Sequence, residues 1–115
     1  NLRSSDKKAK KALPKKITAL LKRANTLAAD QNPEFYSTAS EILFLSLEKQ
    51  TGSNLSTFSK QEREYKLQEL KIDDALIERI NTIHDRILMV KYSGTSSVPF
   101  RKDLKELHKI IEDLL

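Results

Sequence analysis

Cysteine is absent from this 115-residue chain, which holds only 2 glycines and 3 prolines. Without cysteine there are no disulfides, thiolate metal sites or cysteine nucleophiles, a pattern that suits a reducing compartment. The two glycines, Gly52 and Gly94, stand alone. A phosphate-cradling loop needs clustered glycines to bring backbone N–H groups around the anion, so a nucleotide loop is excluded. All-β domains use far more turn residues than this. No apolar run approaches the roughly 18–20 residues that span a bilayer, and no signal-peptide core is visible. The chain opens at Asn1 rather than methionine, so we expect a fragment of something longer.

What the chain does have is 38% hydrophobic and 32% charged residues, rich in Leu, Lys, Glu, Ile and Ala. Its length suits one domain, able to bury roughly two thirds of its unfolded surface without staples. The net charge of +5 conceals a split. Through Arg23 there are nine bases against the single acid Asp6, while the remaining 92 residues hold 12 bases and 15 acids. A basic arm therefore leads into a mildly acidic body, and the two call for separate partner arguments.

Periodicity divides the chain into a polar arm over residues 1–12, partly flexible, and a single helical domain over 13–115. After Pro14, the residues Ile17, Leu20, Leu21, Ala24, Leu27 and Ala28 recur at helical steps to about Asp30. Asn32-Pro33-Glu34 is a helix start: a capping amide, a proline at the first position and an acid in the first turn. Behind it come Phe35, Ala39, Ile42, Leu43, Ser46 and Leu47, with a stop at Gly52. Phe44 and Leu45 widen that face, which predicts a central helix. Ser59 with Glu62 forms a capping box for a third helix. Its stripe of Tyr65, Leu67 and Leu70 is thin, so this helix should be the most exposed. Asp73 caps a fourth, with Ile72 and Ile77 at staple spacing and Leu76, Ile80, Ile83, Ile87 and Val90 as its stripe. Residues 91–97 read as a loop containing Gly94. Pro99 starts the last helix, along which Phe100, Leu104, Leu107, Ile111 and Leu114 form a seam. The predicted fold is all-α, a compact bundle of about five helices joined by short links.

The chain offers little to a catalytic reading. His84 and His108 lack metal-site spacing, and a useful zinc site needs three or four ligands; we expect partly wet rings bordering apolar stripes and no metal. Asp73-Asp74 is explained by capping, and Glu112-Asp113 should face solvent. No G-x-S-x-G elbow is present. We therefore expect no enzyme and no cofactor. The basic arm (Arg3, Lys7, Lys8, Lys10, Lys11, Lys15, Lys16) suits nucleic acid, an anionic membrane or plain solvation. No aromatics interleave its lysines for base stacking. The turn Lys71-Ile72-Asp73-Asp74 superficially resembles a helix-turn-helix. Its second helix, however, opens with two acids that would repel phosphate. A membrane-adjacent arm is favoured, because clustered bases commonly follow a transmembrane helix on its cytoplasmic side. The alternative is a nucleic-acid-binding helical domain with a basic N-terminal arm.

Several segments, taken in order, resemble the cytoplasmic C-terminal region of BatD-type proteins of the Bacteroides aerotolerance family. They are the basic run Lys7-Lys8-Ala9-Lys10-Lys11-Ala12, Pro33-Glu34-Phe35-Tyr36, the link Gly52-Ser53-Asn54-Leu55-Ser56-Thr57-Phe58-Ser59, Ile72-Asp73-Asp74-Ala75-Leu76-Ile77-Glu78-Arg79, and Lys91-Tyr92-Ser93. The chain departs from the family at Met89-Val90, where Phe-Ala is common, and at Ser46-Leu47, where an aromatic-Leu step is common. The resemblance implies a membrane protein with immunoglobulin-like extracytoplasmic domains, one span ending near Asn1, and this bundle at the cytoplasmic face of the inner membrane. It further implies a scaffold working with a MoxR-type ATPase and von Willebrand factor A-domain proteins. It carries over no catalytic residues. Tyrosine beside charge is common at interfaces, which marks Phe35, Tyr36, Lys91 and Tyr92 as candidate partner-binding residues. The competing reading puts Phe35 in the core and has both tyrosine hydroxyls bonding backbone groups.

Overall fold

The computed structural model describes residues 13–93 and 98–115. Among these residues five helices follow one another: α1 (Lys15–Ala29), α2 (Glu34–Thr51), α3 (Lys60–Glu69), α4 (Asp74–Ser93) and α5 (Phe100–Leu114). Among the described residues there is no strand, so the all-α bundle read from periodicity is the fold.

Several helix boundaries have a local cause. The Asn32 side chain accepts from the Glu34 N–H at 2.9 Å, holding one of the donors left free at the start of α2. At the other end Gly52 closes α2 with φ of 77°, a left-handed conformation cheap only for glycine. The capping box of α3 is reciprocal: Glu62 N–H donates to Ser59 Oγ at 3.1 Å and Ser59 N–H to Glu62 Oε1 at 2.8 Å. α1 and α3 end alike, in a way composition does not announce. Asn32 N–H reaches Leu27 O at 2.9 Å while Gln31 N–H reaches Ala28 O at 3.0 Å. Ile72 N–H and Lys71 N–H do the same to Leu67 O and Gln68 O, both at 3.0 Å. Both are Schellman closures, with left-handed Gln31 (φ 54°) and Lys71 (φ 64°) where glycine is usual.

α2 is the central helix, packed against α1, α4 and α5, while α3 leans chiefly on α4. The core is continuous from Ile17, Leu21, Ala24 and Ala28 of α1, through Phe35, Ala39, Ile42, Leu43 and Leu47 of α2, to Leu107, Ile110, Ile111 and Leu114 of α5. Ile42, Leu43 and Leu47 are fully buried, and each removes enough apolar surface from water to contribute about 2 kcal/mol.

Three local expectations need correction. The thin stripe of α3 reduces to Leu67: Tyr65 and Leu70 are exposed, and Arg63 is buried in their place. Lys91, Tyr92 and Ser93 belong to α4 rather than to a loop, because the stripe ending at buried Val90 carries the helix one further turn; Gly94 and residues 95–97 lie outside the described residues. The seam of α5 is broader than predicted, taking in Ile110 and the carboxylate Asp103.

Candidate partner-binding surfaces

Phe35 and Tyr36 lie in the core, so they do not join Lys91 and Tyr92 in a surface. The Phe35 ring meets Tyr36 edge-on at 4.8 Å and Phe100 at 6.1 Å, closing the end of the bundle where α2 and α5 begin. Among the described residues the Tyr36 hydroxyl bonds no backbone group; it donates to Asp103 Oδ2 at 2.6 Å, and Arg86 Nε of α4 stands 3.4 Å from the same oxygen. Burial, reinforced by the Asp103 carboxylate, pushes the Tyr36 phenol well above its ordinary value. Lys91 and Tyr92 are exposed on the last turn of α4, Tyr92 at 78%. Leu88 is four residues back on the same helix face and is also exposed.

A second buried polar group joins α3 to α4. Arg63 is 2% exposed; its Nη2 donates to Asn81 Oδ1 at 2.7 Å, and Asn81 Nδ2 donates to Glu64 Oε2 at 2.6 Å. Arg63 Nε is buried with no hydrogen-bond partner among the described residues. His84 is half-buried one turn along α4 and meets Phe44 of α2 edge-on at 5.3 Å. Burial holds its imidazole below the ordinary value, nearby Arg63 adds to this, and Asp85 opposes it. His108 faces a different helix, with Nε2 3.3 Å from Asn25 Oδ1 of α1. Among the described residues no group of three or more His, Asp or Glu side chains is arranged to hold a metal ion.

α5 has two electrostatically distinct sides. Three of its four acids turn toward α4: Glu106 and Asp113 both take Arg79, at 2.9 and 2.8 Å, and Asp103 takes Arg86, while Glu112 is exposed and falls four residues after His108 on the opposite stripe. Glu112 and Asp113 are both exposed, as expected, and Asp113 is also partnered. The other side carries Arg101, Lys105 and His108 at i, i+4 and i+7, one stripe of a helix. With Asn25, Ala28 and Ala29 of α1, and Lys102 and Leu104 of α5, they line an open groove of about 730 Å³. Its floor is apolar and its rim cationic. Among the described residues none of Arg101, Lys102 and Lys105 has a carboxylate within ion-pairing distance. Sequence reasoning missed this groove, although the basic stripe beside the apolar seam of α5 was its visible signal.

Of the basic arm, Lys15 and Lys16 are exposed at the start of α1. Arg3, Lys7, Lys8, Lys10 and Lys11 lie outside the described residues. No helix among the described residues is long and apolar enough to cross a membrane. No family model, curated protein or solved structure matches the chain.

Proposed function

We propose that this chain is a non-catalytic interaction and scaffold domain of a BatD-type aerotolerance membrane protein. In this reading it hangs at the cytoplasmic face of the inner membrane, its arm (Arg3, Lys7, Lys8, Lys10, Lys11, Lys15, Lys16) against anionic lipid. Its protein partners are a MoxR-type ATPase and von Willebrand factor A-domain proteins. The observation that carries the interaction reading is the α1–α5 groove: an apolar floor open to solvent beside cations that have no carboxylate within ion-pairing distance among the described residues. Burying such a floor is what a partner gains, and unpaired rim charges select the partner and speed its approach. The membrane placement and the partners' identity rest on the ordered segments from Lys7 to Ser93 that resemble the family.

The test is cross-linking in native membranes of the full-length protein, with and without residues 13–115. The expected result is recovery of the ATPase and the A-domain protein with the intact form only, while both forms stay in the membrane fraction. Recovery of neither partner, or equal recovery with the truncated form, would remove the reading. Salt-sensitive retention of duplex DNA by the chain in place of these proteins would turn it toward nucleic acid.

A further inference from the structure

We infer that the α1–α5 groove is the seat of an acidic amphipathic helix supplied by a protein partner, with apolar residues on Ala29 and Leu104 and carboxylates against Arg101, Lys102 and Lys105. This rests on the interaction reading above and names the chemistry of its partner.

The groove's walls are two helices whose backbone groups are already bonded within themselves. It offers no edge for an added strand, and the occupant must satisfy its own backbone, as a helix does. Ala28 and Ala29 stand where α1 meets the groove. Ala28 is buried in the core, and the small exposed Ala29 side chain lets a third helix settle close to the α1 axis. The stripe from Arg101 to His108 spans about 10 Å, or two helical turns. An occupant with apolar anchors at i, i+3, i+4 and i+7 matches that span. The contact between His108 Nε2 and Asn25 Oδ1 at 3.3 Å ties the two walls together, so the seat is already formed.

Charge chooses among helices. Of the four acids of α5, Asp103, Glu106 and Asp113 are turned toward α4 and held by Arg86 and Arg79, and Glu112 follows one turn beyond His108, outside the groove lining. Arg101 and Lys105 are left along one side of an apolar strip, with Lys102 between the groove and the α4 side. This is the complement of a leucine stripe flanked by glutamates. The chain's own basic arm would be repelled from this position. A bilayer is a poorer occupant because the floor is recessed between two helices. Nucleic acid is poorer still, since phosphates gain nothing from Ala29 and Leu104, and among the described residues no Phe, Tyr or Trp lines the groove to stack a base.

The probe is a fluorescein-labelled, hydrocarbon-stapled peptide with leucine at i, i+3, i+4 and i+7 and glutamate elsewhere, titrated against the whole chain. A second peptide carries lysine for every glutamate. Saturable binding of the acidic peptide is expected, with amide chemical-shift changes centred on Ala28, Ala29, Leu104, Lys105 and His108. The variant Arg101→Glu/Lys105→Glu changes two exposed side chains, and the first substitution suits the positive end of α5; helical circular dichroism confirms that it folds. Its affinity for the acidic peptide should fall by about tenfold or more, since two attractions become repulsions, and it should gain affinity for the lysine peptide. Unchanged affinity in the variant, shift changes centred away from the groove, or tighter binding to phosphatidylglycerol vesicles or duplex DNA with the same variant sensitivity would each overturn the inference. If the peptide seats elsewhere while the ATPase and A-domain protein are still cross-linked, the groove assignment fails and the interaction reading stands. If the peptide seats in the groove while neither protein is cross-linked, the groove assignment stands and those two partners are removed.

Discussion

The Tyr36 hydroxyl and the Asp103 carboxylate meet at 2.6 Å across 67 residues of sequence, and this one oxygen gathers three helices. Tyr36 brings α2, Asp103 brings α5, and Arg86 of α4 approaches the same Oδ2 at 3.4 Å. A buried carboxylate is tolerated only when its charge is paired and its lone pairs are filled. Asp103 therefore serves to fix how the first turns of α2 and α5 sit against α4, and the aromatic trio Phe35, Tyr36 and Phe100 packs around that point.

Removing the hydroxyl tests this arrangement. Tyr36→Phe keeps the ring and loses a hydrogen bond to a charged acceptor, which should cost about 1.5–3 kcal/mol of unfolding free energy in a denaturant titration. An unchanged midpoint would show that Arg86 alone suffices. The raised phenol also has a pH signature. Its neutral form is favoured by folding, so its stability contribution is full below the ordinary value of 10.0 and is lost as pH rises beyond it. Phenolate absorbance should show a late alkaline step that Tyr36→Phe removes.

Arg63 makes the opposite kind of prediction, because its charge is buried with less support. Asn81→Ala strips the acceptor at 2.7 Å from a guanidinium that is 2% exposed. The expected loss is about 2–3 kcal/mol, since a charged donor is left without its partner. Arg63→Met with Asn81→Leu removes the desolvation penalty together with the charge, and should lie within about 1 kcal/mol of the parent chain. Chemical denaturation of the two variants decides it: if the double apolar variant is the less stable, the polar pair is worth more than its burial costs.

His84 should make the fold sensitive to mild acid. Its imidazole is held below 6.5 in the folded chain by burial, then by Arg63. On acidification the unfolded chain therefore binds the proton first. Stability is full above the ordinary value, and it falls as pH drops from there through the folded value. His84→Leu should flatten that part of a plot of unfolding free energy against pH. A plot of unchanged slope would assign the acid sensitivity to other groups.

The apolar skeleton was readable because it obeys one period. Ile17, Leu21, Ala24 and Ala28 in α1, or Ile80, Ile83, Ile87 and Val90 in α4, announce both the helix and its buried side. Charged residues on those same faces were not readable. Arg63 and Asp103 look like solvent-facing side chains until the partners Asn81 and Tyr36 arrive from distant segments, and hydrophobic periodicity carries no information about such pairs. The tyrosines divide for a related reason. Tyr36 falls on the inner face of α2 beside Phe35, whereas Tyr92 falls past the last buried position of α4 and stays exposed. The α1–α5 groove was missed because its walls come from the two ends of the chain.

The two left-handed residues that close α1 and α3 supply the remaining prediction. Gln31 and Lys71 hold φ of 54° and 64°, where a side chain's Cβ crowds the backbone. Each is kept there by a pair of backbone hydrogen bonds. At the end of α3, Ile72 is partly buried against the core and follows the strained residue, while Leu67 three positions inside the helix is fully buried, the apolar pair usual for this closure. Relief should come without loss of contacts, because Lys71 is exposed and has no ion pair among the described residues. Lys71→Gly is therefore expected to stabilise the fold by about 0.5–1 kcal/mol, the crowding of a non-glycine residue outweighing the added freedom of glycine in the unfolded chain. Gly52→Ala runs the same comparison in reverse at φ of 77°: the new Cβ would meet nothing within 4 Å, so the cost of about 1 kcal/mol is conformational and not a clash. Thermal and denaturant midpoints of the two variants should move in opposite directions; movement of both downward would mean that unfolded-chain entropy, not native strain, governs these helix ends.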